Sequence, residues 1–132
     1  MITFEPTTII PDDLPDKAKE QAEQSLFVWS ARYGSLNEAK DHTEVGVFGF
    51  VPTDFLARRG YFWLVPRLPA PRKALAEGKL AFMEFCDRFP WNTFIYTEVG
   101  IERTRRFARF LGFRFTGTAD GFHFYVRPED EF

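Results

Sequence analysis

A single cysteine, Cys86, stands in 132 residues. No disulfide can close within the chain, so packing alone must hold the fold, as in a reducing compartment. Only two histidines are present, His42 and His123. With no His-x-x-His or Cys-x-x-Cys spacing, no metal site is expected. No apolar run approaches the ~20 residues needed to cross a bilayer. The opening segment carries Glu5, Asp12 and Asp13 instead of the basic-then-apolar order of a secretion signal, so a cytoplasmic location is expected. Repeats and low-complexity tracts are missing. Excess positive charge is missing too: the net charge is −2, which argues against nucleic-acid binding. Gly34-Ser35-Leu36 lacks the Gly-x-Ser-x-Gly elbow, so Ser35 reads as a turn or cap residue, not a nucleophile.

What the chain does have is aromatic mass. Seventeen residues are Phe, and rings make up 18% of the chain. In a domain this short most must fill the core, and the surplus suits a partner-binding surface. The pattern predicts a strand over 2–10 and a helix from 13 or 14 to 33, with Ala18, Ala22, Leu26 and Trp29 on one face. Glu44 to Val51 reads as a strand whose two glycines imply a bend or close backbone contact. A connector over 52–59 leads to the apolar run Tyr61 to Val65, a buried strand. The prolines of 66–71 then break regular structure.

A second long helix is expected over 72–89, striped by Leu75, Phe82, Cys86 and Phe89, with Met83 beside them. Gly78 within it reads as a point of close strand approach. Cys86 on this stripe reads as buried packing. Strand 94–99, helix 101–111 closed by Gly112, and strands 113–115 and 122–126 follow, the last two joined by an Asp120-Gly121 hairpin turn. Residues 128–132 read as an acidic tail. Such alternation implies an α/β (α+β) domain spanning 1–132, with a mixed central β-sheet flanked by helices.

The run Gly100-Ile101-Glu102-Arg103-Thr104-Arg105-Arg106-Phe107-Ala108-Arg109-Phe110-Leu111-Gly112-Phe113-Arg114-Phe115 resembles the late motif of the GNAT-type N-acetyltransferase superfamily. There a short helix ends in Leu-Gly-Phe and runs into a strand. The element order over about 44–126 is similar as well. The resemblance implies the GNAT-like fold, with the sheet splayed between the strands at Tyr61 and Phe94. A narrower similarity, to GNAT-like proteins of short-tailed phages that include an internal virion protein, rests on Phe62-Trp63, Arg72-Lys73, Val99-Gly100 and Arg106-Phe107.

Three departures from the enzymatic pattern stand out. Active members hold the pyrophosphate of acetyl-CoA on a glycine-rich loop at a helix N-terminus. Here that stretch, Val65-Pro66-Arg67-Leu68-Pro69-Ala70-Pro71-Arg72, has no glycine and three prolines that cannot donate. Val65, Arg67, Arg72 and Lys73 are the candidate cofactor contacts that remain. The Tyr that commonly protonates the leaving thiolate is matched by Ala108, and the Asn that opens the late motif by Ile101. A general base on the central strands would have to be Glu44 or Asp54, with Tyr61 and Tyr96 the candidate proton donors.

Arg103, Arg105, Arg106, Arg109 and Arg114 read first as the wet side of a helix that buries Thr104, Phe107, Ala108 and Leu111, and alternatively as an interaction site for acidic or phosphate groups. The leading expectation is a GNAT-fold phage protein with a degenerate acetyl-CoA site and no cofactor. It would be a virion-associated or assembly component in the host cytoplasm or the particle, with other proteins or its own copies as partners. The alternative is an acetyl-CoA-dependent N-acetyltransferase with an atypical loop. A third reading is a phage effector that binds a host protein.

Overall fold

The computed structural model of the chain describes residues 2–8, 10–34, 43–67, 72–98 and 102–127. Among the described residues the elements follow in the order β1 (Ile2–Pro6), α1 (Asp16–Gln24), β2 (Phe27–Tyr33), β3 (Thr43–Asp54), β4 (Arg59–Pro66), α2 (Arg72–Arg88), β5 (Asn92–Glu98), α3 (Glu102–Phe110), β6 (Arg114–Ala119) and β7 (Phe122–Val126). The strands order as β1-β2-β3-β4-β5-β7-β6. The β4–β5 pair is parallel, and the pairs β1–β2, β2–β3, β5–β7 and β6–β7 are antiparallel. The expected mixed sheet with helices is therefore present. The chain clusters into two compact units, residues 1–51 with 63–81 and residues 52–62 with 82–132.

In the first unit, the helix expected to reach residue 33 stops at Gln24, and Phe27–Tyr33 is a strand between β1 and β3. Ala18 and Ala22 are buried on α1 as expected, but Leu26 is exposed. Ser25 turns the backbone to an extended conformation (ψ 139°), and its hydroxyl donates back to the Gln21 carbonyl at 2.7 Å. Beyond it, Phe27-Val28-Trp29 is aromatic and β-branched, residue types that lose rotamer freedom in a helix and fit a pleated surface. Trp29 and Ser30 are both buried, on opposite faces of the strand. Trp29 stacks on Phe48 at 5.1 Å, and Phe4 meets Phe48 edge-on at 5.0 Å. β1 ends at Pro6, short of the expected residue 10.

Both glycines of β3 sit under close neighbours. An added Cβ at Gly49 would lie 2.4 Å from the indole of Trp63, and one at Gly46 would lie 3.4 Å from the Val65 carbonyl oxygen. Trp63 thus rests on bare backbone, and its Nε1 donates to Ser25 Oγ at 2.6 Å. Gly78 differs. Nothing lies within 4 Å of its would-be Cβ, so close strand approach does not account for it.

In the second unit, Phe62 is fully buried and meets Phe82 at 5.2 Å, Phe85 at 6.1 Å and Phe89 at 5.4 Å. Phe82 and Cys86 are buried, but Leu75 and Met83, expected in the same stripe, are exposed. The buried line on α2 runs at fourth-residue spacing through Ala74, Phe82 and Cys86, which turns Leu75 and Met83 outward. Arg127, buried after β7, pairs with Asp87 of α2.

Helix α3 closes as predicted. Gly112 takes φ +90°, its N–H donates to the Arg109 carbonyl, and the Phe113 N–H donates to the Ala108 carbonyl, a Schellman ending. Asp120 and Gly121 both have positive φ, as a two-residue hairpin turn of type I′ requires. The β4–β5 ladder consists of Arg59↔Asn92, Gly60↔Thr93 and Tyr61↔Phe94, although both strands run on for several residues. The ladder thus stops part-way along both strands, in line with the interruption expected between them.

Three substitutions test this packing by denaturant unfolding. Phe82→Ala should cost about 3–5 kcal/mol, because it empties the ring cluster around Phe62. Gly49→Ala should cost about 2–4 kcal/mol, because the methyl must displace a buried, hydrogen-bonded indole. Gly78→Ala should stabilise by about 0.5–1 kcal/mol, because it gains helix propensity in open space. A destabilised Gly78→Ala protein would mean that something does occupy that space.

Candidate functional site

Two of the residues singled out from the sequence, Glu44 and Arg67, meet in the first unit, and they meet each other. The register between β2 and β3 shifts at Ala31/Arg32: Ala31 opposes Gly46, Arg32 opposes Glu44, and Val45 is left over. That bulge turns Glu44 onto the face of Ser30 and Arg32. Ser30 Oγ donates to Glu44 Oε2 at 2.6 Å, and Arg67 Nε donates to Glu44 Oε1 at 3.0 Å. Arg67 is placed just past β4 by its own N–H, which donates to the Val45 carbonyl at 2.9 Å. Its two terminal nitrogens donate in a fork to Asp13, at 2.9 and 3.0 Å.

Three guanidinium nitrogens are therefore directed at two carboxylates, the bidentate geometry that would otherwise suit a phosphate. Partial burial works against the Arg67 charge, but hydrogen bonds to Asp13 and Glu44 and their negative charges outweigh it, so the guanidinium is held above its ordinary range. The candidate base and the candidate phosphate ligand thus neutralise one another. Arg72 and Lys73 are exposed in the first turn of α2, and Val65 is half-buried. Residues 68–71 of the proline-rich stretch lie outside the described residues.

Asp13 and Ser30 were not legible as partners. Asp13 read as a helix-opening residue, and it lies 54 positions from Arg67. Ser30 fell inside a segment read as helix. The signal that would have found them is the register shift in β2–β3, which no local pattern announces.

In the second unit, Tyr61 and Tyr96 meet edge to face with ring centroids 4.9 Å apart. Phe94 lies 5.7 Å from Tyr61, and Phe122 lies 5.1 Å from Tyr96. All four rings are only half-buried. By strand alternation they share the sheet face opposite to Phe62, Ile95 and Tyr125. Asp54 is exposed and spends a carboxylate oxygen on the Ala57 N–H at 3.0 Å. Ala108, at the position where the family pattern has its acid, is buried.

On α3, Arg106 and Arg109 are exposed, as is Arg114 on β6. Arg105 is half-buried and donates to the hydroxyl of the fully buried Tyr125 at 3.1 Å, so it serves the core more than a wet face. The side chains of Arg103 and Thr104 lie outside the described residues. The structure thus groups the candidates as Glu44 with Arg67 and as Tyr61 with Tyr96.

The Arg67 pairs should separate by exposure. The Asp13 side chain is 72% exposed, so Asp13→Asn should cost less than about 1 kcal/mol. Arg67→Ala removes the partner of the more enclosed Glu44 as well and should cost about 1–3 kcal/mol. Unfolding free energies of the two variants decide this, and equal losses would contradict the asymmetry.

No protein-family model matches the sequence, and no curated protein sequence does. Solved structures do match in shape. An acetyltransferase of Bacillus subtilis in complex with CoA is 13% identical, with a TM-score of 0.66, over 96% of this chain and 98% of that one. The IAA acetyltransferase of Bacillus cereus is 11% identical with a TM-score of 0.65, over 96% and 99%. The N-acetyltransferase PseH of Campylobacter jejuni, in complex with acetyl coenzyme A, is 11% identical with a TM-score of 0.61, over 95% and 96%. The strand order, the interrupted β4–β5 ladder and these likenesses agree: the chain has the fold of the GNAT acetyltransferases.

Proposed function

We propose that the chain is a GNAT-fold protein whose acetyl-CoA site is degenerate, and that it works through protein contacts as a virion-associated or assembly component of a phage. The observation that carries this reading is the Asp13–Arg67–Glu44 cluster. It engages the first cation of the proline-rich stretch and both oxygens of the candidate base. Ala108 adds to it, since a methyl group cannot protonate a leaving thiolate. The residues therefore do not fit the usual pyrophosphate cradle. The phage role rests on the short sequence similarities at Phe62-Trp63, Arg72-Lys73, Val99-Gly100 and Arg106-Phe107, and on the exposed arginines of α3.

A second reading, an acetyl-CoA-dependent N-acetyltransferase with an atypical loop, is favoured by the likeness to enzymes solved with CoA or acetyl-CoA. In that reading Arg72 and Lys73 would pair with phosphates, and Tyr61 or Tyr96 would supply the proton.

Calorimetry and thermal melts with acetyl-CoA separate the two. A ligand at 100 times its dissociation constant stabilises by ~2.7 kcal/mol, a clear shift in melting temperature. Degeneracy predicts no shift, or weak binding that fades with salt and with Arg67→Gln, Arg72→Gln and Lys73→Gln combined. Micromolar binding that survives the triple substitution would falsify the degenerate-site reading and put the enzyme reading first.

A further inference from the structure

We propose that the β3–β4 turn is a docking tip for an anionic lipid surface. The turn is firmly built. Asp54 Oδ1 accepts from the Ala57 N–H at 3.0 Å, Thr53 Oγ1 donates to the Arg59 carbonyl at 3.2 Å, and the Asn92 N–H donates to the Arg58 carbonyl at 2.7 Å. Arg58 holds the left-handed conformation at φ +51°. On this frame stand two large apolar side chains turned to water: Leu56 is 100% exposed and Phe55 66%. A tight turn has no packing need for Leu56, and polar residues are the ordinary choice there.

Three observations select the occupant. Within the turn the large exposed apolar side chains are Phe55 and Leu56, too few to build the water-excluding ring that anchors in protein interfaces require. The boundary between headgroups and acyl chains accepts isolated apolar side chains without shape complementarity. Next, Arg58 and Arg59, both exposed, follow the apolar pair directly, where phosphate headgroups would lie. The chain as a whole is acidic, so this attraction is local to the tip. The same two arginines oppose a symmetric contact between two copies of the tip. Lastly, Trp91 lies beneath Phe55, edge-on at 5.6 Å, and Trp is the residue type favoured at the membrane–water boundary.

The test uses the whole chain and its own fluorescence. Trp29 and Trp63 are buried, which leaves half-buried Trp91 as the reporter. The parent protein is mixed with vesicles of phosphatidylcholine alone and of phosphatidylcholine with equal phosphatidylglycerol, and bound protein is measured by sedimentation. Binding to the anionic vesicles, half-complete at about millimolar lipid, with a blue shift of Trp91 emission and loss at high salt, is the expected result. Leu56→Asp should weaken it about tenfold without changing the melting temperature. Arg58→Asn, which suits the left-handed position, should weaken the preference for anionic vesicles. Absence of parent binding, or equal binding by Leu56→Asp, overturns the proposal. So does a self-associating parent whose oligomer Leu56→Asp dissolves, because that assigns the tip to a second copy.

Discussion

The Trp63 indole lying on the bare backbone of Gly49 is the contact on which the first unit depends. It needs three sequence features at once: no side chain at 49, a large flat one at 63, and a hydroxyl at 25 to take the indole N–H. The hydroxyl of Ser25 also returns a bond to the last turn of α1, so one residue ends the helix and receives the ring of β4. A buried indole without its acceptor would carry a desolvation cost of about 1–3 kcal/mol, comparable to what the ring contacts contribute. The helix therefore ends at 24 for a tertiary reason. Propensity alone left room for a longer one.

That same tertiary logic explains which parts of the chain were readable. Gly112 and Asp120-Gly121 are local devices, since a positive φ is needed and these residue types supply it; both turns came out as the pattern implied. Helix α2 has its ends marked by Pro71 and Pro90 and was placed to within a residue. Residues 13–33 misled because the spacing of Ala18, Ala22, Leu26 and Trp29 satisfies a helix, while Phe27-Val28-Trp29 satisfies a strand equally well. The decision lies in pairing with Phe4 on one side and Phe48 on the other, and neither partner is visible from within the segment. Leu75 and Met83 failed for a geometric reason. The apolar positions of one helix cannot all face one sheet, and the rings around Phe62 selected which did.

The site was less legible than the fold. Glu44, Val65 and Arg67 were picked out by type and position along the strands, but their relation to one another turns on the single unmatched residue Val45. Without the bulge Glu44 would share the face of Ala31 and Tyr33, away from Ser30. One residue of register thus decides whether a carboxylate stands as a candidate base or is tied into a network. Sequence separations of 14, 23 and 54 residues tie that network together, and no motif spans them.

Fold and site are held by free-energy terms of different size. Elements of the GNAT fold are here: the interrupted parallel pair, the long helix after β4 and the Leu-Gly-Phe ending of α3. They rest on core residues such as Phe62, Phe82 and Tyr125, whose burial contributes several kcal/mol each and constrains the backbone irrespective of activity. The functional positions are held by much smaller terms. The exposed half of the Arg67 cluster, its fork to Asp13, is worth about a kcal/mol at most, and a methyl at position 108 costs the buried helix face nothing. Substitutions at such positions can therefore leave every strand in place. Likeness of shape at 11–13% identity reports on the large terms only. The small ones, read residue by residue, are what separate a transferase from a scaffold.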